Sequence, residues 1–519
     1  MTLYRSFATV GGMTMLSRVL GFVRDILIAA VLGAGPVADT FFVAFRFPNL
    51  FRRLFAEGAF NAAFVPLFAK RLEGEGEDAA RNFADEALSA LVAALLLLTA
   101  VAEIAMPWLM YVIAPGFADT PDKFDLAVLL TRIAFPYLLF VSVVALFSGV
   151  LNALHRFAVA AFAPVLLNIV FICVLAAIAW IGFGNTPEAG EALAWGVAVG
   201  GVAQLLVLLF WTRRVGMGLT LQRPRMSDGV KRLLALAIPG VFAGGITQVN
   251  ILIGTIIASL QDRAVSWLYY ADRIYQLPLG LVGIAIGVVL LPDLSRKLKA
   301  DDGGGALHSQ NRSLELALLL TLPAAAALMV VPGPIIQVLF ERGAFSAADT
   351  PATAHALAAF AAGLPAFVLV KVFSPGFFAR EDTRTPMYFA GASVIVNILG
   401  SLALFWQIGH VGIAVATSLA GWVNAVLLAV TLTRRGHFSF DASFRRRFIP
   451  ICVSCLVMGA ALWAMLPVLD PWLSPANTSA VQAAGLTALV GCGIAVYAIM
   501  AHVTGAMRFQ ELLGFLKRG

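Results

Sequence analysis

Read as a pattern of apolar and polar positions, the chain is a series of long apolar runs separated by short polar loops. The run "ALSALVAALLLLTAVAEIAM" at 87–106 is representative. It lacks the alternation that a membrane β-strand shows over roughly ten residues, so the runs predict helices. About twenty apolar residues suffice to cross roughly 30 Å of hydrocarbon. Fourteen spans are predicted, near 7–33, 38–69, 84–113, 125–153, 159–183, 191–212, 231–260, 265–294, 313–332, 353–379, 386–407, 411–432, 448–469 and 481–505. The first, second and eighth are less apolar than the rest. An even number of spans places both termini on one side.

Composition agrees. Of 519 residues, 60% are hydrophobic and 13% charged, with a mean hydropathy of +0.90. A soluble globular chain runs near 45–50% apolar and about 25% charged. The fold class is therefore an all-α polytopic membrane protein. No cleavable signal peptide is evident, because Arg18 and Arg24 interrupt the first apolar stretch. Cys173, Cys452, Cys455 and Cys492 all fall in apolar runs and read as packed or lipid-facing thiols, with no metal site.

Charge sets the orientation. The loops "AKRLEGEGEDAARN", "LHRF", "TRRVGMGLTLQRPRMSDGVKR", "SRKLKADDGGGALHSQNR", "AREDTRT" and "TRRGHFSFDASFRRR", with both termini, hold 25 of the 36 Lys and Arg. The opposite loops hold only Lys123, Arg263 and Arg342. The positive-inside rule then places both termini in the cytoplasm. The net charge of +7 reflects this membrane-surface bias together with cations inside the spans, and it does not call for nucleic acid.

The two halves repeat one another weakly but in order. "GGMT" at 11–14 answers "GGIT" at 244–247, Pro48 answers Pro278, and Asp119-Thr120 answers Asp349-Thr350. Pro136 answers Pro365, Asn168 answers Asn397, and "TRR" at 212–214 answers "TRR" at 433–435. Each copy holds an even number of spans, so both copies have the same topology. The prediction is two pseudo-symmetric six-helix lobes, 1–214 and 215–436, with 437–519 supplying two further helices. Repeats of this kind place substrate sites at their interface.

The spans themselves carry charge. Arg18, Arg24 and Asp25 together cost roughly 8–10 kcal/mol in a lone helix, while the apolar residues around them return roughly 4–7. This helix must turn its charges toward a bundle interior or a wet cavity. The second span holds Asp39, Arg46, Arg52, Arg53 and Glu57. Arg53 and Glu57 stand four apart and can pair, whereas Arg52 points about 100° away. Pro48 is expected to kink this span. The eighth span carries Asp272 and Arg273, and Lys371 lies in the tenth. Arg132, near the start of the fourth, reads as a packing or interface residue. The excess is positive. The arginine fork matches phosphate oxygens, so an anionic, phosphate-bearing substrate is expected. Internal ion pairing is the competing reading for any single arginine.

These blocks resemble the MurJ/MviN family of lipid II flippases, within the wider MOP exporter superfamily. The resemblance rests on "SRVLGFVRD", "DTFFVAFRFPNLFRRLFAEGAFNAAFVPLFAK", "APGFADT", "VSWLYYADRIYQLPLG", "LLPDLSRK" and "KVFSPGFFAREDTRTP", which occur in order over most of the chain. It implies fourteen helices, two lobes forming a V-shaped central cavity, and a groove for the lipid tail formed with the last two spans. It implies transfer of an undecaprenyl-diphosphate-linked peptidoglycan precursor from the inner to the outer leaflet of the bacterial cytoplasmic membrane, for which alternating access is the expected mechanism. By the same resemblance the substrate-binding arginines are Arg18, Arg24, Arg52 and Arg273, supported by Ser17, Asp25, Asp39, Asn49, Glu57 and Asp272. Gln276 departs from the glutamate that some members carry after "ADR".

The expected partners are lipid II, membrane lipids and cell-wall synthesis proteins, with a functional monomer. No cofactor is expected, and no phosphate-binding GxxxxGK[ST] loop is present. The alternatives are an exporter of another polyprenyl-linked glycan, or a membrane enzyme acting on polyprenyl phosphates. The one dense acidic run, "EGEGED" at 73–78, reads as a solvated linker and gives the enzyme reading little support.

Overall fold

The computed structural model describes residues 3–52 and 60–507, and the side chains of all of these except 3–8, 241–244, 246, 247, 284, 285, 287 and 288. Among the described residues the chain is helical and holds no strand. The helices of the first half are α1 (Leu3–Leu32), α2 (Pro36–Phe51), α3 (Phe60–Gly74), α4 (Glu77–Ile113), α5 (Pro121–Ala134), α6 (Tyr137–Ala153), α7 (Phe157–Ile181), α8 (Pro187–Arg214) and α9 (Asp228–Ser259). There follow α10 (Ala264–Lys299), α11 (Gly303–Val330), α12 (Pro332–Phe340), α13 (Asp349–Phe378), α14 (Arg384–Ile408), α15 (His410–Arg434), α16 (Ala442–Leu473) and α17 (Ser479–Val503).

Ten helical segments among the described residues are long and apolar enough to cross a membrane. The expected spans outside that set are the first, second, seventh and eighth. Three of these are the less apolar, charge-bearing ones. The helices of the first, seventh and eighth spans, α1, α9 and α10, run 30, 32 and 36 residues, or about 45–54 Å. Of the second span, expected over 38–69, the described residues form α2 and α3, and Arg53 and Glu57 lie outside the described residues.

The fourth span is divided. Pro136 lacks an N–H, and the chain turns at Phe135-Pro136 between α5 and α6. Its repeat counterpart Pro365 sits inside the continuous α13. The two "TRR" segments do match. Each lies at the end of its helix, where cations offset the dipole, and each is followed by a left-handed glycine, Gly216 or Gly436.

The chain divides into two compact units, Met1–Ser266 with Arg342–Phe345, and Trp267–Glu341 with Ser346–Gly519. In the first, the Phe64 ring of α3 stacks on Phe83 of α4 at 5.7 Å, within a core that includes Phe147 of α6. In the second, Phe373 and Phe377 of α13 pack with Leu428 and Leu432 of α15. All four cysteines are free thiols.

Candidate functional site

Three of the predicted residues, Ser17, Arg24 and Asp25 of α1, meet Asn168 of α7. Arg24 and Asp25 are sequence neighbours, which point about 100° apart on a helix. The arginine curls back to close that gap. Its Nε and Nη2 both donate to Asp25 Oδ1, at 3.0 and 2.8 Å. Nη1 donates to Asn168 Oδ1 at 2.9 Å, and the guanidinium stands 5.4 Å from the Phe171 ring. Asn168 in turn donates from Nδ2 to the Ser17 carbonyl at 2.9 Å. The Arg24 and Asp25 side chains are 11% and 4% exposed. A Cβ at Gly21 would meet the Asn168 amide at 3.6 Å, an ordinary contact. Arg18, further toward the start of α1, is exposed.

Arg52 sits just past the last turn of α2. Its Nε donates to Asn49 Oδ1 at 3.0 Å, while Asn49 Nδ2 donates to the Phe45 carbonyl at 2.7 Å. Arg46 Nη1 donates to Thr255 Oγ1 at 2.9 Å and joins α2 to α9.

Asp39 lies elsewhere. It stands in the first turn of α2, thirteen residues or about 20 Å along the helix from Arg52. It is wholly buried. Lys123 Nζ and the Arg263 N–H donate to Oδ2 at 3.0 and 2.9 Å, and the Ser266 N–H and hydroxyl donate to Oδ1 at 3.0 and 2.6 Å. Lys123 also reaches Asp262 at 3.0 Å. Lys123 was expected in a loop, but it is a buried residue of α5 with its ammonium over the Phe117 ring. The carboxylate thus locks α2 and α5 to the turn before α10.

In the second unit, the Arg273 guanidinium lies 4.6 Å from the Tyr269 ring. Gln276 Nε2 donates to Asp272, so the amide at this position serves as a donor to the acid one turn before it. The stem of Lys371 passes over Gly283, where a Cβ would lie 2.7 Å from Lys371 Cδ. No group of three or more His, Cys, Asp or Glu able to hold a metal occurs among the described residues.

Three side chains that partner the predicted residues escaped the sequence reading: Asn168, Lys123 and Ser266. Asn168 had a signal, a polar residue inside an apolar span that recurs as Asn397. Asn397 accepts from Thr417 at 3.1 Å, on the neighbouring helix of its own unit.

The family model "Lipid II flippase MurJ" matches residues 28–476. The chain belongs to the lipid II flippase MurJ family. Arg18 and Arg24 precede the matched segment. The chain is 50% identical over 520 residues to the "Probable lipid II flippase MurJ" of Rhizobium meliloti (strain 1021), covering 100% of this chain and 97% of that one. It is 39% identical over 467 residues to the "Lipid II flippase MurJ" of Burkholderia cenocepacia, covering 89% and 90%. Among solved structures, "Lipid II flippase MurJ, inward closed conformation" aligns with a TM-score of 0.77 at 23% identity, over 97% of this chain and 99% of that one. An inward-facing multidrug resistance MATE transporter of the MOP superfamily aligns at 0.69 and 14% identity, over 82% and 97%. These two structural likenesses bear on fold alone.

Proposed function

We propose that this multi-pass membrane protein is a lipid II flippase, carrying the undecaprenyl-diphosphate-linked precursor from the cytoplasmic to the outer leaflet for peptidoglycan synthesis. It is a transporter and not an enzyme. The observation that carries the reading is family membership, with half of all positions identical to a curated relative along the whole chain. Both termini are taken as cytoplasmic from the basic loops. The repeat lobes 1–214 and 215–436, with a tail groove in 437–519, belong to the same proposal, as does function as a monomer alongside cell-wall synthesis proteins.

In this reading Arg18, Arg24 and Arg52 of the first unit and Arg273 of the second neutralise the diphosphate. Arg24 is already paired with Asp25, so an incoming phosphate competes for a fork that the carboxylate and Asn168 hold in place. Arg18 and Arg52 add further positive charge to the site. Transport follows alternating access, with the headgroup site open to one side of the membrane at a time. One charge crossing 100 mV is worth about 2.3 kcal/mol. With a negative interior, outward passage of the anionic headgroup is favoured, and so is inward return of an empty cationic site.

The test is depletion of the protein in its host, with lipid-linked precursor labelled separately in each leaflet. Loss of outer-leaflet precursor is expected. Normal exposure, with no second flippase present, overturns the assignment. Alanine at Arg18 or Arg273 is expected to abolish translocation, and full activity with either removes that residue from the site. Transport indifferent to an imposed potential removes the proposed coupling.

A further inference from the structure

The connection between α8 and α9, residues 215–227, lies in the first unit and has no regular secondary structure beyond its first turn. It is nonetheless held as a strap. Met217 and Leu219 are buried in the core of that unit. The Thr220 N–H and hydroxyl donate to Asp85 of α4 at 2.8 and 3.0 Å. The Gln222 N–H donates to Ser89 Oγ at 2.8 Å, and the Ser227 hydroxyl to Glu86 at 2.6 Å. What the strap leaves outward is of two kinds. Leu221 and Met226 are 66% and 59% exposed. Arg223 and Arg225 are exposed and make no hydrogen bond or ion pair among the described residues. No acidic residue lies between Arg214 and Asp228, and the α4 carboxylates that meet the strap are taken up by Thr220, Gln222 and Ser227.

The helix that carries the strap says what the outward side meets. Helix α4 is long and apolar enough to cross a membrane. Helical spacing puts Glu86 on one face with Leu97 and Ile104, and Ser89 on one face with Leu96 and Ala100. Leu96, Leu97 and Ile104 are 51%, 68% and 72% exposed, so this is the lipid-facing side of the helix. Glu86 is the last charge of α4 before Glu103, which puts the hydrocarbon boundary close to it. Ser89 lies only about 4.5 Å further along. The strap therefore crosses the outer side of α4 at the level of the lipid headgroups. Trp211, at the end of α8 just before the strap, is partly exposed with its ring 5.3 Å from the Arg214 guanidinium, as in an aromatic belt.

We propose that this strap is a membrane-surface element that binds anionic phospholipid. Arg223 and Arg225 take the headgroup phosphates, and Leu221 and Met226 enter the upper acyl region. Exposed apolar side chains interleaved with unpaired arginines are the composition of an interfacial anchor. A zwitterionic leaflet offers no net charge to two cations without acidic partners, whereas an anionic one does. In the orientation proposed above, the leaflet is the cytoplasmic one. The surface is separate from the substrate-binding arginines and does not depend on what the protein transports.

The test is limited trypsin cleavage of the full chain in nanodiscs of dioleoyl phosphatidylcholine, alone or mixed with dioleoyl phosphatidylglycerol. Trypsin can cut after Arg225, whereas Pro224 blocks cutting after Arg223. Cutting after Lys299, at the exposed end of α10, is the internal standard. Phosphatidylglycerol is expected to slow the Arg225 cut by roughly ten-fold or more relative to the Lys299 cut. Arg223→Gln leaves the cut site intact and is expected to give back about five-fold, the share of one arginine near an anionic surface. Leu221→Ser is expected to weaken the protection as well, and high salt to weaken it in the wild type. Thermal unfolding of each variant verifies its fold. Equal rates in the two kinds of disc would make the strap a loop indifferent to lipid charge and overturn the proposal. Protection undiminished by Arg223→Gln overturns it too.

Discussion

Arg24 Nη1 lies 2.9 Å from Asn168 Oδ1, and that one contact fixes the fork of an intramembrane arginine to a helix 144 positions away in sequence. The same amide holds the Ser17 carbonyl, so Asn168 orients the arginine and clamps α1 to α7 together. Asn168→Ala removes a hydrogen bond to a charged group, worth about 1.5–3 kcal/mol. Lipid II translocation in proteoliposomes is expected to fall at least ten-fold, with the protein still inserted and folded. Asn168→Asp adds a second carboxylate beside Arg24 and is expected to fall further, since the fork is then held against phosphate. Wild-type rates in both variants would show that Arg24 needs no orienting partner.

The pair Lys123–Asp39 predicts a stability effect instead of a binding one. The Lys123 ammonium is the one full positive charge bonded to a wholly buried carboxylate among the described residues. Breaking such a pair from one side costs about 3–5 kcal/mol, because the remaining charge stays buried. Lys123→Ala is expected to lower the thermal midpoint in detergent sharply, and adding Asp39→Asn is expected to recover part of the loss. A midpoint unchanged in Lys123→Ala would mean that the Ser266 and Arg263 donors satisfy Asp39 by themselves.

These two contacts mark where sequence reading reached its limit. Helical class and most spans were legible because apolar runs report directly on a hydrocarbon solvent. The charges in α1 were legible as a conflict with that solvent. Which groups resolve the conflict was not. Lys123 and Ser266 lie 84 and 227 positions from Asp39, and Asn168 lies 151 from Ser17. Nothing in local periodicity records a pairing of that range. The repeat left local shape open: Pro136 breaks a helix where Pro365 does not.

A pH effect follows from Asp382, in the loop between α13 and α14. Its carboxylate accepts from the Thr385 hydroxyl at 2.6 Å, the Thr385 N–H at 3.0 Å and Arg435 at 2.7 Å. These donors, the hydroxyl first, hold its pKa down at about 2, below the ordinary 3.8. A depressed carboxylate stabilises the fold fully above its unfolded pKa and loses that contribution as pH falls through the folded value. Asp382→Asn is therefore expected to lower the thermal midpoint at pH 5–8, and the gap from wild type is expected to close as pH approaches 2. The pair is partly exposed, so the gap should be no more than about 1 kcal/mol. A gap independent of pH would assign the effect to packing.

Close packing between α13 and α15 gives the last prediction. At Gly363 an added Cβ would lie 2.5 Å from Ser418 Oγ and 2.8 Å from Ser418 Cα. The second of these is backbone and cannot swing aside, so the helices must separate. Small residues at membrane helix contacts permit such approach, and van der Waals contact is most of what holds the helices together. Gly363→Ala is expected to destabilise by about 1–3 kcal/mol, as overpacking does. Gly459, in α16, is the control. A Cβ there meets nothing nearer than Val330 Cγ2 at 3.5 Å, an ordinary contact. Alanine favours a helix over glycine by about 0.5–1 kcal/mol, so Gly459→Ala is expected to hold or raise the midpoint. Thermal unfolding of both variants in one detergent separates packing from propensity. Equal midpoints would show that α13 and α15 can part without loss.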